Sequence, residues 1–353
     1  MDGAVDREDW RHSPHPWCRV DPWRSQRTGE CDGLTGLCHI YLVDPLQEKR
    51  SSSSRKGGLA PRRTTAPVWH YTDVAGLLGI VRSRSVWASA PQVLNDSSEV
   101  LYGVNLVRDA WAEQKRKSVH GKFVTDFIDR MIGEAWVEYV QKHVFIASTS
   151  REPDLLSQWR NYANSDGYAI CLDTSGHWGR RPEMVNGQLE LRAAVLHGWY
   201  DVIYDESTQR QAAAQLAETM PMLIPSQAVE EDSDAVANIN AMAMGHLLIS
   251  ALPLSMKHPA FADEREARFI GGSADAGVAY RAANGRIVPY APIGVFSTND
   301  QGHALEEEHP FPIVKILCGP GCRDGTASIV RRFLESEGFD RVEVSASVLP
   351  FTG

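Results

Sequence analysis

Phe261-Ala262-Asp263-Glu264-Arg265-Glu266-Ala267-Arg268-Phe269-Ile270 is the stretch on which the reading of the fold turns. If it is extended, its period of two places Glu264, Glu266 and Arg268 on one face. Two carboxylates and a guanidinium are costly to bury alone, so this face either pairs with itself or receives a polar ligand. More than 190 residues upstream, Pro67-Val68-Trp69-His70-Tyr71 reads as a strand, and Thr72 or Asp73 then caps a short helix. A histidine entering on this first strand completes a pocket if the fold brings it to the charged face.

Outward from these fragments, strands and helices mix without regular alternation, which points to an α+β class rather than a doubly wound sheet. Val74, Leu77, Leu78 and Val81 recur at helical spacing, and Val86 to Ser89 reads as a strand. Helices are expected through Val100, Val104, Val107 and Trp111 and again from Phe123 to Trp136, then a strand from His143 to Ser148. Asp154 is expected to cap a helix through Trp159 and Tyr162, and Tyr168 to Leu172 follows a turn signal as a strand. Residues 191–204 look extended and 207–252 helical. Strands at 266–270, 287–290, 313–317 and 341–348 enclose a helix at about 324–337.

The first 66 residues differ from the rest. They hold 11 Lys/Arg and 9 Asp/Glu and close on Ser51 to Ser54, Gly57-Gly58 and Pro61-Arg62-Arg63, a tract too polar to bury much surface. We read 1–66 as a weakly ordered extension with a linker at 46–66, and 67–353 as a single α+β domain. Cys18, Cys31, Cys38 and His39 lack the C-x-x-C pair that would anchor a zinc site, so no metal is expected. Of 353 residues, 43% are hydrophobic and 23% charged, as in soluble globular proteins. The net charge of −9 argues against broad electrostatic binding of nucleic acid. No secretory signal is visible at the N-terminus. Ala235 to Met256 is uncharged, but Asn238, Asn240, His246 and Pro253 interrupt the ~20 apolar residues that a membrane span needs. A core helix and a cytoplasmic protein, not a membrane one, are expected.

Several polar positions have a structural reading beside the chemical one. His70 stands where strand-edge donors and a helix N-terminus meet, a place suited to an anionic or ribose-bearing ligand or to a histidine bonding a neighbouring carbonyl. Asn95-Asp96-x-x-Glu99 fits a capping box with Asn95 left over. Ser148-Thr149-Ser150 is a polar end to an apolar strand. Trp159, Arg160 and Tyr162 form either core packing or a platform for a flat ring. Lys257-His258, just upstream of the charged stretch, is placed to answer its carboxylates. No Walker loop, G-x-G-x-x-G, H-E-x-x-H or G-x-S-x-G occurs.

Taken in series, Trp69-His70-Tyr71-Thr72, Gly79-Ile80, Leu94-Asn95-Asp96 with Glu99, Ser157 to Ala163, Gly167 to Ile170 and Glu264 to Arg268 resemble a largely bacterial family called domain of unknown function 2971. So do Pro289-Tyr290, Ile316 to Pro320 and Ser347 to Pro350, and the resemblance spans about 68–350. That family is remotely similar to ADP-ribosyltransferases, which implies a split, two-sheet mixed β core with flanking helices around NAD. By that resemblance His70 holds the nicotinamide ribose, Glu266 bonds the ribose 2′-hydroxyl, and Glu264 orients or deprotonates the acceptor. Tyr162 or Tyr168 stacks on nicotinamide. Tyr71, Thr72, Asn95, Ser148 and Arg268 complete the implied NAD-binding set. Ser148 to Ser150 is similar to the Ser-Thr-Ser of the arginine-type branch, although that branch begins with Arg where this chain has His70.

The implied activity is transfer of ADP-ribose from NAD to an unidentified protein or nucleic-acid acceptor, in a toxin or defence setting. Two rivals stand beside it: an NAD glycohydrolase, with water as acceptor, and a non-catalytic ligand-sensing or interaction domain.

Overall fold

The computed structural model describes residues 61–350 apart from 95–98, 165, 180–182, 186–187, 191–196, 223–250, 273–277, 284 and 297–309. In chain order it contains β1 (Val68–Thr72), α1 (Val74–Ser83), β2 (Val86–Ser89), α2 (Glu99–Lys117), α3 (Lys122–Met131), α4 (Glu134–His143) and β3 (Val144–Ser150). Then come β4 (Tyr168–Leu172), β5 (His177–Gly179), β6 (Glu183–Val185), β7 (Gln188–Glu190), β8 (His197–Asp201) and α5 (Glu206–Thr219). The chain closes with β9 (Glu266–Gly272), β10 (Ala279–Ala283), β11 (Arg286–Phe296), β12 (Ile313–Cys318), α6 (Thr326–Ser336) and β13 (Glu343–Ala346). The class is α+β, with an open mixed sheet and flanking helices.

The expected pair of sheets is instead one eleven-stranded sheet, ordered β10-β11-β2-β3-β1-β4-β12-β13, with β9 and β8 joined through β3 and β5 through β11; β6 and β7 form a separate ribbon. Among the described residues every pairing of these strands is antiparallel except β12 with β13, and an isolated parallel bridge joins Ile203 to Met256. Strand β3 explains why the sheet does not stay flat. One edge pairs with β9 along its whole length, Val144↔Gly272 to Ser150↔Glu266. The other edge is shared: Ile146 bridges Ser89 of β2, and Ser150 bridges Trp69 of β1. Two strands arriving four residues apart cannot both continue beside β3, because neighbouring strands need ~4.8 Å of lateral room. The sheet therefore forks there.

Alternation along β3 separates two cores. Phe145 and Ala147 join Phe269, Leu77, Ile80 and Leu334 on one side, whereas Val144 and Ile146 join Ile270, Val104, Trp111, Ile128 and Leu216 on the other. Helix α1 starts at Asp73, whose Oδ1 accepts from the Gly76 amide at 2.8 Å. The helical stretch expected from Phe123 to Trp136 is two helices, broken at Ile132-Gly133. Asp154 does not cap the next helix. Its carboxylate accepts from Trp159 Nε1 at 2.7 Å, Ser347 Oγ at 2.7 Å and the Val348 amide at 3.0 Å. The helix itself is only Leu156–Gln158, continued by a π-helical turn Trp159–Ala163.

Residues 61–66, read from sequence as the end of a linker, pack on the domain. Arg63 bridges Tyr200, the Thr64 amide donates to Trp199 O at 2.9 Å, and Arg151 donates to both Thr64 Oγ1 and Ala66 O. The cysteine-bearing stretch before them and most of the helix expected at 207–252 lie outside the described residues; of the described part, Glu206–Thr219 is helical and Ala251 and Leu252 are buried. Among the described residues no helix is long and apolar enough to cross a membrane.

Candidate functional site

The charged stretch is not one continuous strand. Pro259–Glu264 is a 3-10 turn, and Arg265 adopts φ 45°, ψ 48°, a left-handed conformation that a side chain other than glycine adopts only at a cost. Strand β9 starts one residue later. The end of β3 secures this corner: Ser150 Oγ donates to Glu264 O and the Arg151 amide to Arg265 O, both at 2.8 Å. Glu264 therefore reaches the site from a turn, not from the strand face that period-two reading assigned to it. Glu266 and Arg268 do share a face, since their register partners are Ser150 and Ser148. That face looks towards α2, while Ala267 and Phe269 are buried in the opposite core.

Five charged side chains meet there. Arg268 donates from Nε to Glu266 Oε1 at 2.5 Å and from Nη2 to Glu266 Oε2 at 2.8 Å. Its Nη1 donates to Leu254 O at 3.1 Å, and Nη2 also reaches Glu99 Oε2. Lys257 Nζ is shared among Glu264 Oε2 at 2.6 Å, Glu99 Oε1 at 2.9 Å and Glu266 Oε2 at 3.1 Å. Tyr204 accepts the Glu266 amide at 3.0 Å. The Glu266, Arg268 and Lys257 side chains are 4%, 3% and 5% exposed, against 14% for Glu264, so the cluster opens on the Glu264 side. There Tyr162 Oη lies 3.4 Å from Glu264 Oε1.

Burial opposes the Glu266 carboxylate, but Arg268, Lys257 and the Ser148 hydroxyl outweigh it and hold its pKa at about 2. Burial likewise acts against Lys257 and Arg268, and the carboxylates around them raise both above their ordinary values. Two cations thus face three carboxylates, leaving one acidic group in excess at the open side.

His70 approaches from the other side of β3. The register aligns Trp69, not His70, with Ser150 and Glu266, so His70 projects to the alternate face. The two fragments nevertheless meet at Ser148. His70 Nδ1 lies 3.1 Å from the Ser148 carbonyl, and the Ser148 side chain is near enough to Glu266 to help lower its pKa. A carbonyl only accepts, which assigns the proton to Nδ1 and leaves Nε2 with a lone pair. Burial lowers the His70 pKa, the Ser148 bond offsets this in part, and Arg281 lowers it further.

Of the remaining sequence candidates, Tyr71 donates to Glu152 O at 2.8 Å, accepts the Leu155 amide at 3.0 Å and packs edge-on against Trp159. Thr72 sits over the first turn of α1, where a Cβ on Gly76 would come 1.8 Å from its Oγ1. Tyr168 pairs with Thr72 and is buried beside Cys318 and Cys322. None of these three bonds the charged cluster. Asn95 and Asp96, the latter expected to cap the helix, lie outside the described residues. Glu99, Lys257 and Tyr204 were not assigned to the site from sequence. Lys257 was legible as a counter-charge; Glu99 was read only as half of a capping box, yet its carboxylate bonds both cations.

An open mixed sheet carrying a buried carboxylate–guanidinium–ammonium cluster is the class that fold and site define. The family model described as "Protein of unknown function (DUF2971)" matches residues 158–269. The match holds Tyr162, Lys257, Glu264, Glu266 and Arg268; it is shorter than the resemblance read over 68–350 and does not reach His70, Glu99 or Ser148. No curated protein and no solved structure matches the chain.

Proposed function

We propose that the chain cleaves the nicotinamide–ribose bond of NAD and transfers ADP-ribose to a macromolecular acceptor. The observation that carries the reading is the buried Glu266 carboxylate held ionised by Arg268 and Lys257 beside the more open Glu264, with His70 tied to the same strand through the Ser148 carbonyl. The bond between the anomeric carbon and the nicotinamide nitrogen breaks, and its electron pair leaves with nicotinamide. Glu266, ionised far below neutral pH, stabilises the positive charge that develops on the ribose. A neutral His70, which projects to the alternate face, offers Nε2 to a part of the ligand more remote than this ribose. Glu264, at the open side beside Tyr162, takes the proton of the acceptor as its nucleophile bonds the anomeric carbon.

A second reading, a non-catalytic ligand-sensing domain, is favoured by one feature: both Glu266 oxygens are already engaged by Arg268 and Lys257. Labelled NAD and cell lysate separate the readings. Nicotinamide release with label on a macromolecule supports transfer, and free ADP-ribose without it selects hydrolysis. Glu264→Gln, being nearer the surface, removes the acceptor step without emptying the buried ion cluster. Absence of release, of labelling and of NAD binding refutes the catalytic reading.

A further inference from the structure

The fork holds a further cation that the charged cluster does not use. Arg281, on β10, has no ion-pair partner among the described residues. Its Nη2 donates to Ser89 Oγ at 3.0 Å, and its Nε is buried with no hydrogen-bond partner among the described residues. Its Cζ lies 5.4 Å from the centre of the Trp87 ring and 6.0 Å from that of Tyr290. Gly79 of α1 leaves the space for that indole, since a Cβ there would come 2.3 Å from the ring. Burial weakens the hold of Arg281 on its proton. Asp73 is the nearby carboxylate, and its Oδ1 is engaged in capping α1.

Cation–π contacts compensate a half-buried guanidinium only in part; such groups are ordinarily completed by a bidentate anion. The position is also specific. Ser89 is the β2 residue that bridges β3, and His70, on the other arm of the fork, is near enough for Arg281 to oppose its protonation.

We propose that the fork is an oxyanion site that takes a phosphoryl group, with Arg281 as its cation, Ser89 orienting the guanidinium, and Trp87 and Tyr290 as its walls. A phosphoryl dianion answers Arg281 and also removes the opposition to a charged His70. A monoanionic carboxylate satisfies the arginine alone. The inference does not depend on cleavage of NAD.

Calorimetric titration of the full chain with inorganic phosphate, ADP and acetate tests it. Phosphate or ADP is expected to bind and acetate to bind more weakly; saturation by phosphate alone assigns a free phosphate site, and preference for ADP a nucleotide. Arg281→Gln is expected to lower the affinity by roughly tenfold or more, and Arg281→Lys by less, because an ammonium keeps the charge without the fork. Ser89→Ala, which leaves the charge in place, provides a milder variant should Arg281→Gln fail to fold, and is expected to weaken binding by a few-fold (roughly one hydrogen bond). Absence of binding by both phosphate and ADP, affinity unchanged in the Arg281 and Ser89 variants, or acetate binding as tightly as phosphate overturns the proposal. Nicotinamide release is read separately, so either idea can fail without the other.

Discussion

Arg268 grips Glu266 from two positions further along the same strand, Nε to Oε1 at 2.5 Å and Nη2 to Oε2 at 2.8 Å. Both side chains are almost fully buried, and without the Glu266 charge Arg268 keeps only Glu99 as a carboxylate partner. Glu266→Gln is expected to destabilise the protein by about 1.5–3 kcal/mol, the usual cost of losing charge-assisted hydrogen bonds while Glu99 and Glu264 still compensate the cations. Urea unfolding monitored by tryptophan fluorescence measures it. A change below about 1 kcal/mol would show that the pair is not closed in solution.

Acid should dissolve the same contact. The Glu266 pKa is lowered from 4.5 to about 2 in the folded state, so its contribution is fully present above 4.5 and is lost as pH falls towards 2. The wild type is expected to lose on the order of 3 kcal/mol more than Glu266→Gln across that window. Parallel curves of stability against pH for the two proteins would contradict the assignment.

His70 should be neutral, with its proton on Nδ1. Its folded pKa lies below 6.5, so its share of stability is present above that value and declines as pH falls beneath it. Nitrogen-15 NMR of the imidazole reports the tautomer directly. A spectrum with the proton on Nε2, or a midpoint above 6.5, contradicts the geometry at Ser148.

Gly103 controls how closely α2 approaches the site. A Cβ there would lie 2.0 Å from the Pro253 carbonyl oxygen, so Gly103→Ala must push α2 away from the chain leading to Lys257. The expected cost is about 1–3 kcal/mol. Because Glu99 begins that helix, its link with Lys257 should weaken too, read as a smaller coupling energy in a double-mutant cycle of Glu99→Gln with Lys257→Met.

Much of this fold is written in local patterns. β1, α1, α2, β4, β12 and α6 lie where alternation, helical spacing and turn residues place them, because each buries one clear face. The charged stretch shows where such patterns stop. Period-two reading assumes uniform backbone, and nothing in Glu264-Arg265-Glu266 announces that Arg265 turns left-handed. Glu99 illustrates a different limit. Its spacing from Asp96 satisfies a capping rule, but its bonds go to Lys257 and Arg268, more than 150 residues away, and contacts at that range leave no mark on local sequence. Asp154 likewise was read as a helix cap and serves instead as an acceptor for Ser347 and Val348.

Strand β3 carries its neighbours unequally: seven paired positions with β9, but a single bridge to each of β1 and β2. Mechanically it is the spine of a book whose two covers are attached by one stitch each. Opening between the covers parts Trp69 from Ser150 or Ser89 from Ile146 and leaves the β3–β9 ladder whole. Deuterium should therefore enter the amides at the two stitches well before those of Ala147 and Phe269, and a molecule wedged into the fork should slow the first set without touching the second.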